Sequence, residues 1–259
     1  MGILEGKKGL IFGVANERSI AWHIAQYAVE QGAECAFSYL PGEKMEGRVR
    51  KTLAKGGLEN SWNFPCDVSS DNDLDHLFTA VGERFSSLDF VVHSVAYADR
   101  AYLKPGTFAS TPREVFAQAL DISAYTLIAI AGRAVPMMPN GGSILALSYY
   151  GSEKAAEGYN VMGVAKSALE STTRYLAAEL GQSGIRVNAL SAGPCRTLSA
   201  MAVGGIETIL KKVEAVAPLR RNIETAEVGK SAAYLLSDLS SGVTGETHHV
   251  DAGYNAIVT

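Results

Sequence analysis

KKGLIFGVANERSI, residues 7–20, sets the architecture of this chain. Gly9-Leu10-Ile11-Phe12 is a short apolar run that reads as a buried strand, and Gly13 through Ile20 turns the chain into a helix. A helix N-terminus offers unpaired N–H groups and a partial positive charge, and a glycine lets backbone approach a pyrophosphate closely, so this turn is a candidate phosphate site. The spacing departs from G-x-G-x-x-G: Gly13 is the one glycine of the usual three, with Ala15 and Ser19 as small residues. The competing reading is an ordinary strand-turn-helix connection capped by Ser19, and the remainder of the chain decides between them.

The same alternation continues toward the C-terminus. A helix over 20–31 leads to a strand at 33–39, a charged helix over 43–55 and a strand from 63 to 66. A strand at 88–95, helices filling 111–138 and a strand at 142–148 follow, then a helix carrying Tyr159 and Lys166 and strands at 185–190 and 247–251. Strands alternating with amphipathic helices, without repeat, linker or low-complexity stretch, predict an α/β fold: one Rossmann-type, doubly wound parallel sheet of about seven strands with helices on both faces. Residues 1–259 are expected to form a single domain.

Composition removes several classes. A chain of 259 residues with 47% hydrophobic residues supplies a large core, and a net charge of −4 with scattered basic residues argues against nucleic acid as a partner. Cys35, Cys66 and Cys195 are too few for a disulfide framework, which fits a reducing cytoplasm. Residues 1–6 have no export pattern, and no run reaches the roughly 18 apolar residues of a membrane span, so a soluble protein without a membrane partner is expected. His23, His76, His93, His248 and His249 show no ligand spacing, and no metal site is expected.

In a doubly wound sheet, ligands lie beyond the carboxyl ends of the strands. The residues there are Gly13, Ala15, Ser19 and Ile20 after the first strand, Leu40 after the second and Asp67-Val68 after the third. Ser94-Val95 follow the fourth, Ser148-Tyr149 the fifth, and Ala192-Gly193-Pro194-Cys195 with Thr197 the sixth. Asp67 is suited to accept from an adenine amino group while Val68 packs on the ring; its competing role is to cap the helix after Ser69-Ser70. Asp121 is given no chemistry. The span YYGSEKAAEGYNVMGVAK, 149–166, places a phenol and an ammonium seven residues apart. On one helix that spacing nearly closes two turns, putting Tyr159 and Lys166 on a single stripe about 10 Å apart along the axis. Gly163 between them leaves room there for a flat ligand.

These residues resemble the short-chain dehydrogenase/reductases, and within them the bacterial enoyl-(acyl-carrier-protein) reductases of type II fatty acid synthesis. The likeness rests on GVANERSIAWHIA at 13–25, CDV at 66–68, HSVA at 93–96 and LSYYGSEKA at 147–155, and further on YNVMGVAKSALE at 159–170, RVNALSAGP at 186–194 and GETHHVDAGY at 245–254. Ordinary members of the superfamily carry Tyr-x3-Lys, whereas the enoyl reductases carry Tyr-x6-Lys with a second tyrosine ten residues upstream. Tyr149, Tyr159 and Lys166 match the latter; Tyr150 and Lys154 form a decoy Tyr-x3-Lys pair at a strand exit. The resemblance implies hydride transfer from NADH to the β-carbon of a trans-2-enoyl thioester held on acyl carrier protein. Tyr159 would stabilise the enolate oxygen, Lys166 would bind the nicotinamide ribose, and Tyr149 would line the acyl pocket, by packing or by assisting protonation. Ala98, Met162, Ser199 and Ala200 would meet the acyl group, under a lid around 195–216 that includes the small apolar segment 198–203. A homotetramer is implied on the same ground.

Three positions depart from the pattern. Leu40 stands where relatives carry a polar or basic residue; with no arginine to hold a 2′-phosphate, NADH is favoured, while nearby Lys44 keeps NADPH open. Cys195 replaces a branched aliphatic residue, and the lid helix has its cations only at Lys211 and Lys212, which weakens the expectation of docking to an acidic carrier. Two other readings are a superfamily enzyme acting on ketones or alcohols, with Tyr159 as general acid, and a cofactor-binding regulator without turnover.

Overall fold

Strands that are apolar on both faces must be covered on both. The computed structural model, which describes residues 2–197, 200–201 and 206–257, meets that demand with seven parallel strands between two layers of helices. The strands are β1 (Lys8–Phe12), β2 (Glu34–Tyr39), β3 (Asn63–Pro65), β4 (Phe90–His93), β5 (Gly142–Ser148), β6 (Ile185–Ala192) and β7 (Thr247–Val250), in the order β3-β2-β1-β4-β5-β6-β7. The chain runs outward from β1 to β3, then crosses back to start β4 on the other side of β1. Strand order therefore reverses between β1 and β4, and a crevice opens at their carboxyl ends.

The helices are α1 (Ile20–Glu30), α2 (Glu43–Lys55), α3 (Asp71–Arg84), α4 (Arg113–Leu120), α5 (Thr126–Ala134), α6 (Val161–Leu180), α7 (Ile206–Val216) and α8 (Thr225–Leu236). Successive strand residues point to opposite faces, so Ile11, Phe37 and Phe90 pack under Trp22 and Ile24 of α1, Leu53 of α2 and Leu235 of α8. Leu10, Phe12 and Val91 pack on the other side under Leu77 of α3, Leu127 of α5 and Leu169 of α6. Each such side chain contributes about 1.5–3 kcal/mol of burial, which makes both helical layers integral to the sheet.

The predicted bounds of α2 and β5 agree with the structure at both ends, and β4 is shorter than the predicted 88–95. The helical region predicted over 111–138 runs unbroken from Arg113 to Met137 but changes type along its length: a π turn, Asp121–Tyr125, joins α4 to α5, and a 3-10 turn, Val135–Met137, ends it. Within Arg113–Met137 an 18-residue window is apolar enough, by length and composition alone, to cross a membrane. Half of it is buried inside the protein, and Arg133 on α5 pairs with Asp71 and Asp75 of α3, as befits a core helix.

Candidate functional site

One wall of the crevice is the turn after β1. Gly13 has φ +96, and a Cβ there would lie 2.0 Å from the Ser94 carbonyl oxygen, so the exits of β1 and β4 approach closely only because this residue is glycine. Ser19 is the N-cap residue of α1, but its hydroxyl turns back to accept from Ala15 N–H (3.2 Å) and Asn16 N–H (3.1 Å). The loop is thereby curled over the helix end, while the Ile20 and Ala21 N–H groups take no partner among the described residues. Free amides at a helix N-terminus, beside a glycine that lets backbone close in, suit the pyrophosphate of a dinucleotide.

The other strand exits complete the rim. Leu40 is exposed at the tip of β2, with Lys44 exposed in the first turn of α2. Asp67 Oδ1 accepts from the Ser69 N–H (3.0 Å) and hydroxyl (2.7 Å), forming a turn before α3. The cap of α3 is Ser70, whose hydroxyl accepts from Asp73 N–H, so Asp67 is not the cap. Val68 packs against the core beneath. Ala192, Gly193, Pro194 and Cys195 are buried at the end of β6. Burial pushes the Cys195 thiol up to about 12, leaving an inert thiol beside the Gly193 carbonyl. Thr197 Oγ1 accepts from Ala200 N–H at 3.0 Å. Ser199, and with it most of segment 198–203, lies outside the described residues. Among the described residues no group of three or more His, Cys, Asp and Glu is placed to hold a metal ion.

The tyrosines and the lysine meet where β5 gives way to α6. Tyr149 and Tyr159 pack edge to face, ring centroids 4.9 Å apart and planes at 74°. Lys166 is buried in the second turn of α6, and its Nζ donates to the Leu147 carbonyl at 2.6 Å, which leaves two N–H donors for a further ligand. Burial brings the Lys166 ammonium down to about 8, with Glu170 acting in the opposite direction. Burial, then Tyr149 and Glu170, hold the Tyr159 phenol well above its ordinary range, and burial pushes Tyr149 up to about 12. Both phenols are therefore neutral hydrogen-bond donors near pH 7.

Two expectations about this segment are corrected. Tyr159 is not on the helix with Lys166: α6 begins at Val161, and the N-cap Asn160 has φ +45 and ψ −119, a conformation L-residues rarely adopt. The Asn160 carboxamide holds that conformation by donating to the Tyr102 (2.7 Å) and Lys104 (2.8 Å) carbonyls. Gly163 does not keep space for a ligand. A Cβ there would meet the Gly151 carbonyl oxygen at 2.7 Å, so the missing side chain lets the 3-10 turn Tyr150–Ser152 press onto α6.

Several residues with a stake in this geometry went unread in the sequence. The buried Glu170 accepts from the hydroxyls of Ser148 and Ser152, the latter at 2.6 Å. Its signal was available: an acid four residues beyond Lys166 on an otherwise apolar face. His93, at the end of β4, is fully buried; Thr126 Oγ1 donates to the Ile122 carbonyl and so accepts from His93 Nε2 at 2.8 Å, which leaves Nδ1 bare. Burial, then Lys166, bring His93 down to about 3, so it carries no charge. Ser123, in the π turn, accepts from Tyr97 N–H (3.0 Å) and lies 3.8 Å from the Met162 sulfur. Met162 is packed with Leu103, Ala119 and Val161, with Ala98 and Tyr159 against that cluster, so it supports Tyr159 from behind.

The decoy pair does not form a site. Tyr150 is in the 3-10 turn with its hydroxyl donating to the Asn255 carbonyl, and Lys154 is exposed beyond it.

The family model described as enoyl-(acyl carrier protein) reductase matches residues 13–255. The enoyl-(acyl-carrier-protein) reductase (NADH) 1 of Rhizobium meliloti (strain 1021) is 50% identical over 256 residues, covering 99% of this chain and 93% of its own. An enoyl-(acyl-carrier-protein) reductase (NADPH) of Staphylococcus aureus (strain MRSA252) is 49% identical over 254 residues, covering 98% of each. Among solved structures, the Bacillus cereus enoyl-acyl carrier protein reductase with NADP+ and indole naphthyridinone superposes with a TM-score of 0.96 at 46% identity, over 100% of both chains.

Proposed function

Because this chain belongs to the enoyl-(acyl carrier protein) reductase family, we propose that it reduces trans-2-enoyl thioesters on acyl carrier protein, using NADH in preference to NADPH. The observation that carries this reading is the placement of two neutral phenols, Tyr149 and Tyr159, beside a buried lysine at the end of β5, next to the crevice between β1 and β4. A dinucleotide held there would supply the hydride taken up by the substrate β-carbon, and a proton delivered to the α-carbon would complete the reduction. Charge then grows on the thioester oxygen, and a fixed donor in a water-poor site lowers the barrier to that build-up.

In this reading Tyr159 donates to the enolate oxygen; its raised pKa favours a phenol over a phenolate. Lys166, anchored on the Leu147 carbonyl, offers its remaining N–H groups to the ribose hydroxyls and its charge to the developing enolate. Tyr149, edge to face with Tyr159, and Ala98, packed with Met162, are assigned to the acyl group. Ile20 and Ala21 amides with Gly13 and Ala15 take the pyrophosphate; Asp67 Oδ2 and Val68 take the adenine; Ser94, Val95 and 192–195 with Thr197 flank the nicotinamide half. Leu40, exposed and apolar at the ribose end, supports NADH over a 2′-phosphorylated cofactor.

Residues 195–216 form the lid in this proposal. α7 anchors by Leu210 and Val213, the latter packed with Ala217 and Ala252, while Arg196 and Glu207 pair through two hydrogen bonds (3.1 and 3.0 Å) across the described ends of the segment. A homotetramer is supported by the exposed apolar side chains Tyr125 of the π turn, Ile128 of α5 and Tyr175 of α6, where Ile128, Ala168 and Tyr175 line a depression of about 410 Å³. Three buried free thiols agree with a cytoplasmic location.

The test is oxidation of NADH and of NADPH with a short trans-2-enoyl thioester, alongside a panel of ketones. The expected result is thioester reduction with a higher kcat/KM for NADH and no turnover of simple ketones. Faster reduction of ketones would refute the assignment, and a higher kcat/KM with NADPH would refute the cofactor preference.

A further inference from the structure

The face of α6 that meets the Tyr149 turn carries four anchors in sequence. Gly163 admits the Gly151 carbonyl, Lys166 bonds the Leu147 carbonyl, Ser167 Oγ lies within hydrogen-bond distance of the Ser152 carbonyl, and Glu170 accepts from Ser148 and Ser152. Ser148 ends β5 and Ser152 ends the 3-10 turn, so one carboxylate oxygen grips both ends of the segment that presents Tyr149. Glu170 is 6% exposed, and so is Lys166 one turn before it. The two do not bond each other, since the ammonium donates to a carbonyl and the carboxylate accepts from two serines.

Burying an anion is costly unless it is hydrogen-bonded and faces a positive charge. Two serine hydroxyls alone leave that cost incompletely offset, and Lys166 is the nearby cation. The groups facing the pair from other elements contribute no charge near pH 7: His93 from β4 is neutral, and so are Tyr149 after β5 and Tyr159 before α6. Glu170 follows Lys166 by four residues on α6, so the carboxylate and the ammonium lie one turn apart on the same face of the helix.

We propose that Glu170 is a positioning residue for the reductase site: its carboxylate clasps the Ser148–Ser152 turn, fixing Tyr149 against Tyr159, and stands one helical turn beyond Lys166 as its counter-charge. The inference rests on the reading of Lys166 as the ribose anchor. It assigns two separable duties to one side chain, geometry through the serines and charge through the lysine, and separate variants address them.

The experiment measures NADH affinity by fluorescence titration from pH 6 to pH 10, together with steady-state rates, for the wild type, Glu170→Gln and Glu170→Asp. In the wild type, NADH binding weakens above about 8, as Lys166 loses its proton. Glu170→Gln retains an acceptor for the serines but loses the charge, so the pH at which binding weakens falls by about 1 to 3 units, the effect of removing one opposite charge at close range. Glu170→Asp keeps the charge on a shorter stem, so the binding profile stays at the wild-type pH while kcat falls at least several-fold through the loosened turn. An unmoved profile in Glu170→Gln overturns the charge role, and wild-type kcat in Glu170→Asp overturns the clasp. Should Glu170→Gln not fold, a profile displaced in Glu170→Asp as far as expected for Gln refutes the assignment, and an unmoved one with reduced kcat supports it. Because NADH binding is read without substrate, failure of the enoyl thioester assignment is distinguished from failure of this one.

Discussion

Replacing Gly163 by alanine sets two effects against each other. In a helix alanine is favoured over glycine by at most about 1 kcal/mol, so propensity alone predicts a more stable protein. The new methyl, however, would stand 2.7 Å from the Gly151 carbonyl oxygen, a backbone atom that cannot rotate aside. An ordinary carbon–oxygen contact is about 3.3 Å, so the turn must retreat by roughly 0.6 Å, and overpacking of this kind costs about 1–3 kcal/mol. The clash outweighs the propensity gain, and a net loss of roughly 0–2 kcal/mol is expected. The effect on rate is larger than that on stability. Gly151 follows Tyr149 and Tyr150, and its own position lies against both the Tyr149 and Tyr159 rings, so displacing the turn disturbs the pair to which the proposed function assigns the substrate. A misplacement approaching 1 Å costs on the order of 100-fold, so kcat should fall roughly 10- to 100-fold with NADH affinity little changed. Urea unfolding, NADH titration and steady-state rates on Gly163→Ala test the three statements separately. If the variant is more stable and its kcat is within twofold of wild type, the close approach is not limiting. If instead NADH affinity collapses while stability rises, Gly163 is keeping space for the ligand after all.

Tyr159→Phe deletes one donor and should lower kcat by about 10- to 1,000-fold while sparing NADH affinity; a large rise in the NADH Kd would contradict that. Lys166→Ala should weaken NADH binding and turnover together, whereas Lys154→Ala, an exposed change, should alter neither, and the reverse pattern would transfer the role to the decoy pair. Acid sensitivity should trace partly to His93, which resists protonation until about 3. The same side chain in the unfolded chain takes a proton near 6.5, so between those values the unfolded state binds more protons and stability falls as pH falls. At pH 5 that is about 2 kcal/mol, and urea midpoints for His93→Gln should show a flatter decline from pH 7 to pH 5 than the wild type.

The layered sheet was legible because hydrophobic period and turn residues both report on local structure: α2 and β5 could be bounded to the residue, and every strand exit pointed to the crevice. The details that failed all depend on distant partners. Tyr159 leaves the helix because Asn160 adopts a left-handed conformation, and that conformation is held by carbonyls of Tyr102 and Lys104, more than fifty residues away in sequence. Periodicity, which placed Tyr159 on the Lys166 stripe, has no access to such a contact. Gly163 was read from what it lacks, whereas its purpose lies in the carbonyl it touches. The tyrosines and Lys166 were singled out because their spacing is specific to one family; Glu170 carries no such motif, and its place one turn beyond Lys166 gains meaning only with its serine partners.

The π turn at Asp121–Tyr125 has a consequence for how this chain tolerates changes in length. A wide turn accommodates one residue more than an α-helical path between the same end points, and each helical residue turns the chain by about 100°. Losing a single residue there would return the run to an α-helical path between the same end points and leave the flanking turns of α4 and α5 in phase. Ala119 would stay against Leu103 and Met162, and the contact given up would be the one Ser123 makes to the backbone of Tyr97. A one-codon deletion within α4 or α5 has no such slack, because it turns every helical residue beyond it by about 100° against the layer on which it packs.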